Sequence, residues 1–489
     1  MNTHRNPDIE RLADRGMLKS SAYVNGRWCR SGTTFSVTNP ADGGWIADVS
    51  AVSAAESSDV VTAAHAAFPA WAALLPQDRA AILYRWFTLV QEHKEDLALL
   101  MTLEQGKPLS ESRGEIDYGA AFIEFFSEQA KRPDIMGVTS HLPNAEVEVW
   151  LEPVGVAALI TPWNFPHAMI TRKAAAALSV GCTVMVHPSQ ETPLSALALA
   201  ELAERAGFPP GVFNVVPGNA ADIVGQWTGD RRVRAVSFTG STDVGRLLYS
   251  QCAPTIKRLS LELGGHAPFI VFADADMDKA VDEAMSAKFA TSGQDCLGAN
   301  RFFIERPAYD EFCRKFTART KRLSVGRGVD DPEIGPLMNE RAVLKQIDHV
   351  DDAVGKGGKL LCGGSRLDLG PLFFAPTVLA DVPDEAKIMR EETFGPVAAI
   401  APFDDEDAVV SRANDTEYGL MAYVHTKDPS RIYRVSRALE FGMIGVNRSK
   451  VTGAPIPFGG MKQSGLGREG SQRGIDAFSD IKYVCRDWA

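Results

Sequence analysis

The feature that most restricts the fold of this chain is a repeated exchange between short apolar runs and helical segments, which begins at Val154. Helical patterns such as Ala168–Leu178 and Leu194–Ala206 separate the runs. Alternation of this kind is typical of βαβ units, in which parallel strands share a sheet with helices on both faces. The chain repeats the pattern from about Pro268, so two doubly wound α/β units are predicted. The predicted strands are Val154–Thr161, Thr183–His187, Val212–Val216, Ala235–Phe238, Phe269–Phe272 and Arg301–Ile304.

The residues before Val154 predict a different organisation. The first 20 residues are polar and predict a loosely ordered segment. Ser53-Ala54-Ala55-Glu56 has the spacing of a capping box, which predicts a helix that runs to about Trp71. Short edge strands are predicted at Ala22–Arg30 and Phe35–Asn39. The remaining predicted helices are Gln77–Gly106, Leu109–Lys131, Asp278–Ala290 and Tyr309–Arg322.

Residues Ser140–Leu151 switch to a two-residue period, in which Val147, Val149 and Leu151 alternate with polar or amphipathic neighbours. Such a period between helical stretches predicts an exposed ribbon. The edges of an exposed ribbon are unpaired and tend to pair with another copy of the chain. We therefore expect this ribbon to take part in a homo-oligomer, in a small sheet shared with the C-terminal segment Asp480–Val484.

Composition excludes several classes of protein. With 489 residues, 45% of them hydrophobic, the chain can form two or three domains. Its net charge of -11 argues against a nucleic-acid partner. We find neither an apolar leader after Met1 nor an apolar run long enough to span a bilayer. Seven cysteines without a CxxC pair indicate reduced thiols, a cytoplasmic location and no metal site.

Among the cysteines, Cys296 stands apart because it lies in the turn Thr291–Gly298, directly after a predicted helix. A structural cysteine is usually buried on an apolar face and inert. A cysteine between Gly293 and Gly298, where backbone can approach a ligand closely, is placed to react. Taken alone, the turn favours neither interpretation over the other.

Three upstream motifs decide between these interpretations: Pro162-Trp163-Asn164-Phe165-Pro166, Phe238-Thr239-Gly240-Ser241 and Glu262-Leu263-Gly264-Gly265. Together with Cys296, in this order and spacing, they resemble the aldehyde dehydrogenase superfamily, and most of all its succinate-semialdehyde dehydrogenase branch. The resemblance extends from about Tyr23 to Val484. It implies an α/β fold with two doubly wound domains, a small β oligomerisation element, and a dimer or tetramer. The implied boundaries are 1–133 with 152–263 for dinucleotide binding, 264–465 for catalysis, and 134–151 with 466–489 for oligomerisation.

The resemblance also assigns the chemistry. Cys296 attacks the aldehyde carbon, and a thiolate is the nucleophile that such an attack requires. Asn164 and the backbone N–H of Cys296 stabilise the resulting oxyanion. Glu262 is the general base that activates water to release the acid. Members that transfer the acyl group to coenzyme A commonly lack this carboxylate, so Glu262 favours hydrolysis. Leu297-Gly298 replaces the Cys-x-Cys redox pair of some relatives, and that disulfide switch is absent.

For the cofactor, NAD or NADP, the turn Gly240–Gly245 follows a predicted strand and opens a helix, where backbone N–H groups can meet a phosphate. It departs from the GxGxxG fingerprint at Thr242, and alone it could be an ordinary turn. Where this chain has His187, the family usually has a lysine, whose positive charge favours the 2′-phosphate of NADP. Where it has Gln190, many members have a glutamate, whose negative charge rejects that phosphate. The first substitution therefore disfavours NADP, and the second permits it. The implied cofactor residues are Thr161, Pro162, Trp163, His187, Gln190, Gly240, Ser241, Gly245, Leu263, Glu392 and Phe394.

For the substrate, the resemblance implies that Arg172 holds a carboxylate. The branch has a second arginine where this chain has Ala290, and a serine at Thr452. Arg448 and Lys450 either replace the missing cation or lie at the surface. The implied substrate residues are Arg172, Arg448, Thr452 and Phe458.

These residues predict oxidation of an anionic ω-aldehyde, with succinate semialdehyde foremost and a longer semialdehyde or a sulfonated aldehyde still open. Two other classes remain. A cysteine acyl hydrolase without nicotinamide is disfavoured by Gly240–Gly245, Glu392 and Phe394. A catalytically silent relative is disfavoured because Asn164, Glu262 and Cys296 are all present.

Overall fold

The computed structural model describes residues 5–132 and 136–487. Its N-terminal segment corrects one expectation. The predicted loose order of the first 20 residues is wrong from Arg5 onward, because two short 3-10 helices, Pro7–Arg11 and Arg15–Met17, bury apolar side chains there. Ile9 and Met17 pack into the main hydrophobic core. The mostly polar composition of this segment did not indicate the two helices. A few buried apolar side chains are enough to anchor a short segment.

One large sheet forms the centre of the N-terminal half. Within the described residues it has the strand order β19-β11-β10-β7-β8-β9-β1-β2, and the pairs from β11 to β9 are parallel. The parallel part of the sheet starts at its centre with β7 and extends to β8 and β9 on one side and to β10 and β11 on the other, which is the doubly wound arrangement. Its strands are β1 (Ala22–Val24), β2 (Arg27–Cys29), β7 (Val156–Ile160), β8 (Thr183–His187), β9 (Phe213–Val215), β10 (Val233–Thr239), β11 (Arg258–Glu262) and β19 (Gly465–Leu466).

A second sheet repeats the architecture, as the repeated sequence pattern predicted. In the part of the chain that the structure describes, its order is β14-β15-β16-β13-β12-β17-β18, antiparallel only between β14 and β15. Its central strand β12 is a fully buried apolar run, and β13 is buried except at its last residue, Glu305, as expected for parallel strands covered on both faces. The strands are β12 (Ala267–Val271), β13 (Ala299–Glu305), β14 (Lys359–Cys362), β15 (Thr377–Ala380), β16 (Val397–Phe403), β17 (Met421–His425) and β18 (Met443–Val446).

The ribbon forms the third sheet. β6 (Ala145–Pro153) pairs antiparallel with β20 (Ser479–Asp487) and with β5 (Met136–Val138), which confirms the predicted sheet shared with the C-terminal segment. Ile481 and Tyr483 of β20 are 73% and 72% exposed. The predicted boundary at 133/134 lies outside the described residues, and the domain limits stay a prediction. A separate two-stranded sheet joins β3 (Thr34–Thr38) and β4 (Trp45–Ser50).

The helices cover the two large sheets. The capping box is present: the Ser53 hydroxyl accepts from the Glu56 N–H, and the Glu56 carboxylate accepts from the Ser53 N–H. The long helical stretch predicted next divides at His93 into two helices. The helices are α1 (Ala54–Ala72), α2 (Pro76–Glu92), α3 (Lys94–Gln105), α4 (Leu109–Ala130), α5 (Ala168–Val180), α6 (Pro193–Ala206), α7 (Ala220–Gly229), α8 (Thr242–Cys252), α9 (Met277–Phe289), α10 (Arg306–Thr320), α11 (Glu340–Gly355), α12 (Glu406–Asn414) and α13 (Pro429–Ala438).

Candidate active site

Cys296 lies in the connection between α9 and β13, where the backbone is unusual. Thr291, Ser292 and Gly293 have φ values of +50°, +57° and +73°. This left-handed region is unfavourable for residues with a side chain, above all a β-branched one such as Thr291. The surrounding structure must therefore hold the loop. The Ser292 hydroxyl does so in part, since it donates to the Gly335 carbonyl and accepts from the Gly335 N–H, both at 3.0 Å.

Two glycines let neighbouring loops touch the Cys296 loop. A side chain at Gly265 would collide with the Cys296 carbonyl oxygen, and one at Gly293 would collide with the Gly395 carbonyl oxygen. The close packing predicted for Gly264-Gly265 is thereby confirmed. Because Gly265 follows Glu262 by three residues, and Gly395 follows Glu392 by three, these contacts bring three predicted site segments together.

Asn164 reaches the same loop from the other side. It is 3% exposed, and its Nδ2 donates to the Gln294 carbonyl at 3.1 Å. Gln294 itself is held, because its side-chain oxygen accepts from the Met338 N–H at 2.9 Å. The amide of Asn164 is therefore held against the Cys296 loop, at the residue two positions before Cys296.

Glu262 is the last residue of β11 and is 2% exposed. Among the described residues, neither of its carboxyl oxygens has a hydrogen-bond partner. Burial raises its pKa well above the usual value, and the nearby Glu469 charge raises it further. A buried carboxyl with this combination is suited to proton transfer near neutral pH. It does not face solvent, which was the alternative for a strand-end carboxylate.

Cys296 is partly buried, and burial raises the pKa of its thiol well above the usual value, with Asp295 and Glu392 adding to the effect. Arg172 opposes this shift. The resting thiol is therefore protonated, and attack on a carbonyl needs a group that takes its proton.

A buried charge cluster lies beside Glu262. Arg172 Nε donates to Glu469 Oε2 at 2.5 Å, and Lys173 Nζ donates to Glu469 Oε1. All three residues are nearly fully buried. Burial opposes the charge of Arg172, but Glu469 and Tyr118 outweigh it and raise the pKa of the guanidinium. Burial likewise opposes the charge of Glu469, yet Lys173 and Arg172 lower its pKa on balance. Two basic side chains, Arg172 and Lys173, thus share one carboxylate, and burial lowers the pKa of Lys173.

The predicted phosphate turn lies at the switch point of the first sheet, where β7 and β10 are neighbours and lead in opposite directions. Ser241 caps α8, its hydroxyl accepting from the Val244 N–H. The Gly240 N–H donates to the Glu262 carbonyl at 3.0 Å, and a side chain at Gly245 would collide with Leu263. The crevice outside the carboxyl ends of such strands is where dinucleotides bind in doubly wound sheets. A helix N-terminus there also favours a phosphate.

The remaining residues predicted for the nicotinamide side lie beside the Cys296 loop. Glu392 Oε1 accepts from the Gly265 N–H at 2.8 Å, and burial raises the pKa of Glu392 to about 7. Phe394 has a φ of +50° and meets Trp163 edge to face, with ring centroids 5.5 Å apart. Glu392, Phe394 and Trp163, which are far apart in sequence, thus form one wall. Together with the switch-point crevice, this wall fits a nicotinamide dinucleotide.

The residues predicted for the adenosine side differ in their exposure to solvent. The Thr161 N–H donates to the His187 carbonyl, and Pro162 follows at the end of β7. His187 is 3% exposed, and its Nδ1 lies 2.9 Å from the Val216 carbonyl. Burial lowers the pKa of His187 to about 4, so the ring is neutral at pH 7. Gln190 is exposed and lines a cavity of about 440 Å³ with residues 35–40.

The four predicted substrate residues do not converge. The Phe458 ring lies 4.0 Å from the Arg172 guanidinium carbon, and Thr452 is partly buried two residues before the buried Ala454. Arg448, in contrast, is exposed, and its Nε donates to the Lys450 carbonyl at 2.7 Å. It lines a separate cavity of about 500 Å³ with the part of α9 between Lys279 and Ser286. The structure thus joins Arg172 to Phe458 and places Arg448 at a surface cavity.

Several residues that the structure places in contact with the site were not predicted from the sequence. Lys173 and Glu469 are two of them, and they pair with each other beside Glu262. Lys107 and Glu115, which contact the Asn164 loop, and Glu111, which contacts Thr291, carried no motif at all. The only available signal was the four-residue spacing of these three charged residues, which also occurs on solvent-exposed helix faces.

All seven cysteines are free. Within residues 5–132 and 136–487, no cluster of His, Cys, Asp and Glu could hold a metal ion, and no helix combines the length and apolarity needed to cross a membrane.

Comparison with known proteins agrees with this geometry. The model of the aldehyde dehydrogenase family matches residues 28–484. The chain is 50% identical over 478 residues to succinate-semialdehyde dehydrogenase [NADP(+)] of Escherichia coli K12, covering 97% of this chain and 99% of that protein. It is also 50% identical over 479 residues to 3-sulfolactaldehyde dehydrogenase of Pseudomonas putida, covering 97% and 98%. The crystal structure of an aldehyde dehydrogenase from Brucella melitensis biovar abortus 2308 superposes with a TM-score of 0.97 at 51% identity, covering 98% and 99%.

Proposed function

The chain belongs to the aldehyde dehydrogenase family, and from this membership we propose that it oxidises an anionic semialdehyde, succinate semialdehyde foremost, to the carboxylic acid. It uses NAD or NADP. One observation carries the proposal for the substrate: Arg172, in the charge cluster beside Glu262, has two terminal nitrogens whose hydrogen-bond partners among the described residues are weak. Nη1 lies 3.5 Å from the Tyr118 hydroxyl, and Nη2 lies 3.0 Å from the Met169 sulfur.

A carboxylate is a far better acceptor for these nitrogens than a phenol or a thioether. Guanidinium presents five N–H donors, and here Glu469 takes the one on Nε. The two Nη groups can pair with a substrate carboxylate in the bidentate manner that gives arginine its selectivity for such groups. Phe458, stacked on the guanidinium, keeps it flat and shields the contact from water.

Catalysis begins at Cys296. Its sulfur attacks the aldehyde carbon, a carbon–sulfur bond forms, and the carbonyl electron pair moves to oxygen. Asn164 Nδ2 and the Cys296 N–H are the proposed donors to that oxyanion. Glu262 takes the thiol proton, which the raised pKa of the thiol makes necessary. Bound NAD or NADP supplies the hydride acceptor. When the aldehyde hydrogen leaves with its electron pair, the carbonyl re-forms as a thioester on Cys296.

Release of the acid is the second task of Glu262. Once Glu262 has given up the thiol proton, its carboxylate can take a proton from a water molecule that attacks the thioester, and Cys296 then leaves as the thiolate. The raised pKa of Glu262 makes it a stronger base than an ordinary carboxylate. Lys173 and Glu469 lie close enough to affect its charge, as the causes of that pKa shift indicate.

The choice between NAD and NADP depends on two residues in this proposal. A neutral, buried His187 adds no positive charge that would attract a 2′-phosphate. Gln190 adds no negative charge that would repel one. We therefore propose weak discrimination between the two cofactors.

The assembly and location are also proposals. The exposed face of β20, with Ile481 and Tyr483, supports a homo-oligomer, a dimer or tetramer, that pairs through the 134–151 and 466–489 segments. The proposed domain limits are those implied by the family. Seven free cysteines support a cytoplasmic location.

A panel of aldehydes assayed with NAD and with NADP tests the function. We expect the highest kcat/KM for an aldehyde with a carboxylate at its far end, and at least about a tenfold advantage over an uncharged aldehyde of equal length. Ala290, which replaces a cation, leaves room for a longer semialdehyde or a sulfonated aldehyde. Glutarate semialdehyde and 3-sulfolactaldehyde therefore belong in the panel. Equal efficiency for charged and uncharged aldehydes would contradict the anionic-substrate proposal.

A further inference from the structure

Three charged residues at four-residue spacing lie together at the start of α4: Lys107 comes two residues before the helix begins, and Glu111 and Glu115 lie on its first two turns. None of them has a part in the chemistry described above. We infer that this α4 face, Lys107 with Glu111 and Glu115, is a positioning element that holds the Asn164 amide and the Cys296 loop at the separation needed for oxyanion stabilisation. The inference builds on the proposed roles of Asn164 and Cys296.

Lys107 holds the backbone of Asn164. Its Nζ donates to the Asn164 carbonyl and to Glu115 Oε2, both at 2.7 Å. Both charged side chains are 1% exposed. The same ammonium lies 4.1 Å from the centre of the Phe165 ring. A buried cation with these partners fixes Asn164 at its carbonyl, while the amide at the other end of that residue reaches the Cys296 loop.

Glu115 holds the other end of the same loop. Its Oε1 accepts from the His167 N–H at 2.9 Å and from the Ala168 N–H at 3.0 Å. These N–H groups open α5 and would otherwise lack intrahelical partners. The loop that contains Asn164 is thus held at two points, by Lys107 at the Asn164 carbonyl and by Glu115 where the loop enters α5.

Glu111 holds the Cys296 loop. Both of its carboxylate oxygens accept from the Thr291 N–H, at 3.1 and 2.9 Å. Thr291 and Ser292 are in the left-handed region, so their conformation persists only where other groups impose it. The carboxylate on α4 is one such group. Since Glu111 and Glu115 are one helical turn apart, a single rigid element holds both halves of the proposed oxyanion site.

Such an element matters because oxyanion donors act over a narrow range of distance, about 2.7–3.1 Å from the oxyanion. A loop displaced by about 1 Å loses much of the stabilisation, whereas the fold around it need not change. This positioning role differs from simple capping of a helix N-terminus. The chain also contains a buried glutamate that only caps a helix, and it serves as the comparison. Glu104 is buried and accepts from the Leu194 and Ser195 N–H groups, both at 2.7 Å, at the start of α6.

The test measures acylation of Cys296 in the absence of NAD and NADP. p-Nitrophenyl acetate serves as the probe, because its thioester formation needs the thiol, the base that takes the thiol proton and the oxyanion donors, but no nicotinamide cofactor. We compare Glu111→Gln, Glu115→Gln and the charge-balanced double variant Lys107→Met/Glu115→Gln with Glu104→Gln. Thermal unfolding and the Kd for NADP are measured for every variant.

We expect the acylation rate to fall by about tenfold or more in each α4 variant, less than the ~10²–10³-fold that follows removal of an oxyanion donor itself. Glu104→Gln should keep the rate within about twofold, even where it lowers the unfolding temperature by the same amount. The Km for the ester should change little, because positioning acts on the transition state.

Two outcomes overturn the inference. One is an acylation rate in Glu111→Gln and Glu115→Gln equal to that of Glu104→Gln. The other is a loss of rate that follows the unfolding temperature across all four variants. Glu111→Gln keeps the test decisive if the double variant does not fold. Asn164→Ala distinguishes failure of the proposed oxyanion role from failure of the α4 inference. If this variant leaves acylation unchanged, the oxyanion role of Asn164 is wrong. If it slows acylation and the α4 variants do not, only the α4 inference is wrong.

Discussion

The two ends of the site are built differently. At the reacting end, the segments of Glu262, Cys296 and Glu392 touch through their backbones at Gly265 and Gly293, and the Asn164 amide donates to the Gln294 carbonyl. At the recognition end, the contacts are between long charged side chains. Arg172 is bound to Glu469, and Arg448 lies at a surface cavity.

This difference explains why family motifs transfer unequally between the two ends. Where a glycine packs directly against a carbonyl oxygen of another loop, the two backbones can lie together in only one arrangement. The same motif therefore produces the same geometry. A long cationic side chain has many rotamers, and its direction depends on every charge nearby. Changes at the reacting end should therefore abolish chemistry for all aldehydes, whereas changes at the recognition end should alter only the selection among them.

The largest expected effect is that of Cys296→Ala. Without the sulfur, no thiohemiacetal can form, and we expect dehydrogenase turnover to fall by about 10⁵-fold or more for every aldehyde. The Kd for NADP should stay the same within about twofold. Steady-state rates and a cofactor titration check this. Turnover of any aldehyde at a tenth of the original rate would break the assignment of the reacting end.

Glu262→Gln should come next, with a loss of about 10²–10⁴-fold in the steady state. If Glu262 acts mainly in release of the acid, rapid mixing should still show a single-turnover burst of NADPH, and the reaction should then slow. If burst and steady-state rates fall together, Glu262 acts mainly on the thiol. A variant with both rates unchanged would remove Glu262 from the mechanism.

The pH dependence of acid release gives an independent measurement on Glu262. Burial raises the pKa of this carboxyl, so its basic form is scarce at low pH and grows as pH rises through the raised value. We therefore expect the steady-state rate of the unaltered enzyme to rise by up to about tenfold per pH unit below that pKa and then to level off. The pH–rate profile of Glu262→Gln should lack this rise, and an identical profile in both proteins would contradict the prediction.

At the recognition end, Arg172→Leu should raise KM, or lower kcat/KM, for succinate semialdehyde by about thirtyfold or more. Loss of one charge partner in a desolvated site costs about 2–5 kcal/mol. An uncharged aldehyde of similar length should be far less affected. The ratio of the two efficiencies is the measurement. An equal loss for both aldehydes would mean that Arg172 serves only to hold Glu469.

The smallest expected effect is that of Arg448→Ala. An exposed cation contributes little to a distant charge, so the charged-to-uncharged ratio should fall by less than about threefold. Lys450→Ala, its neighbour on the same exposed loop, serves as the matched control. A selective loss of tenfold in Arg448→Ala alone would show that this side chain turns inward and replaces the cation missing at Ala290.

Much of the fold could be predicted from local patterns. The alternation of buried runs and helices predicted both parallel sheets, and the capping box at Ser53 marked the start of α1 within one residue. The N-terminal segment could not be predicted in the same way. Its two short helices depend on a core that the distant α2, α3 and α6 complete, and no local pattern carries that information.

The sequence by itself determined which chemistry this protein can perform, because Asn164, Glu262 and Cys296 each lie in a short stretch whose glycines and prolines restrict the backbone. Only the tertiary structure decided how charge is distributed around them. It paired Arg172 and Lys173 with Glu469, left the oxygens of Glu262 without partners, and set Lys107, Glu111 and Glu115 against two loops more than 50 residues away in the chain. Backbone restriction acts between neighbours in sequence, whereas electrostatic interaction and burial depend on distances that exist only after folding.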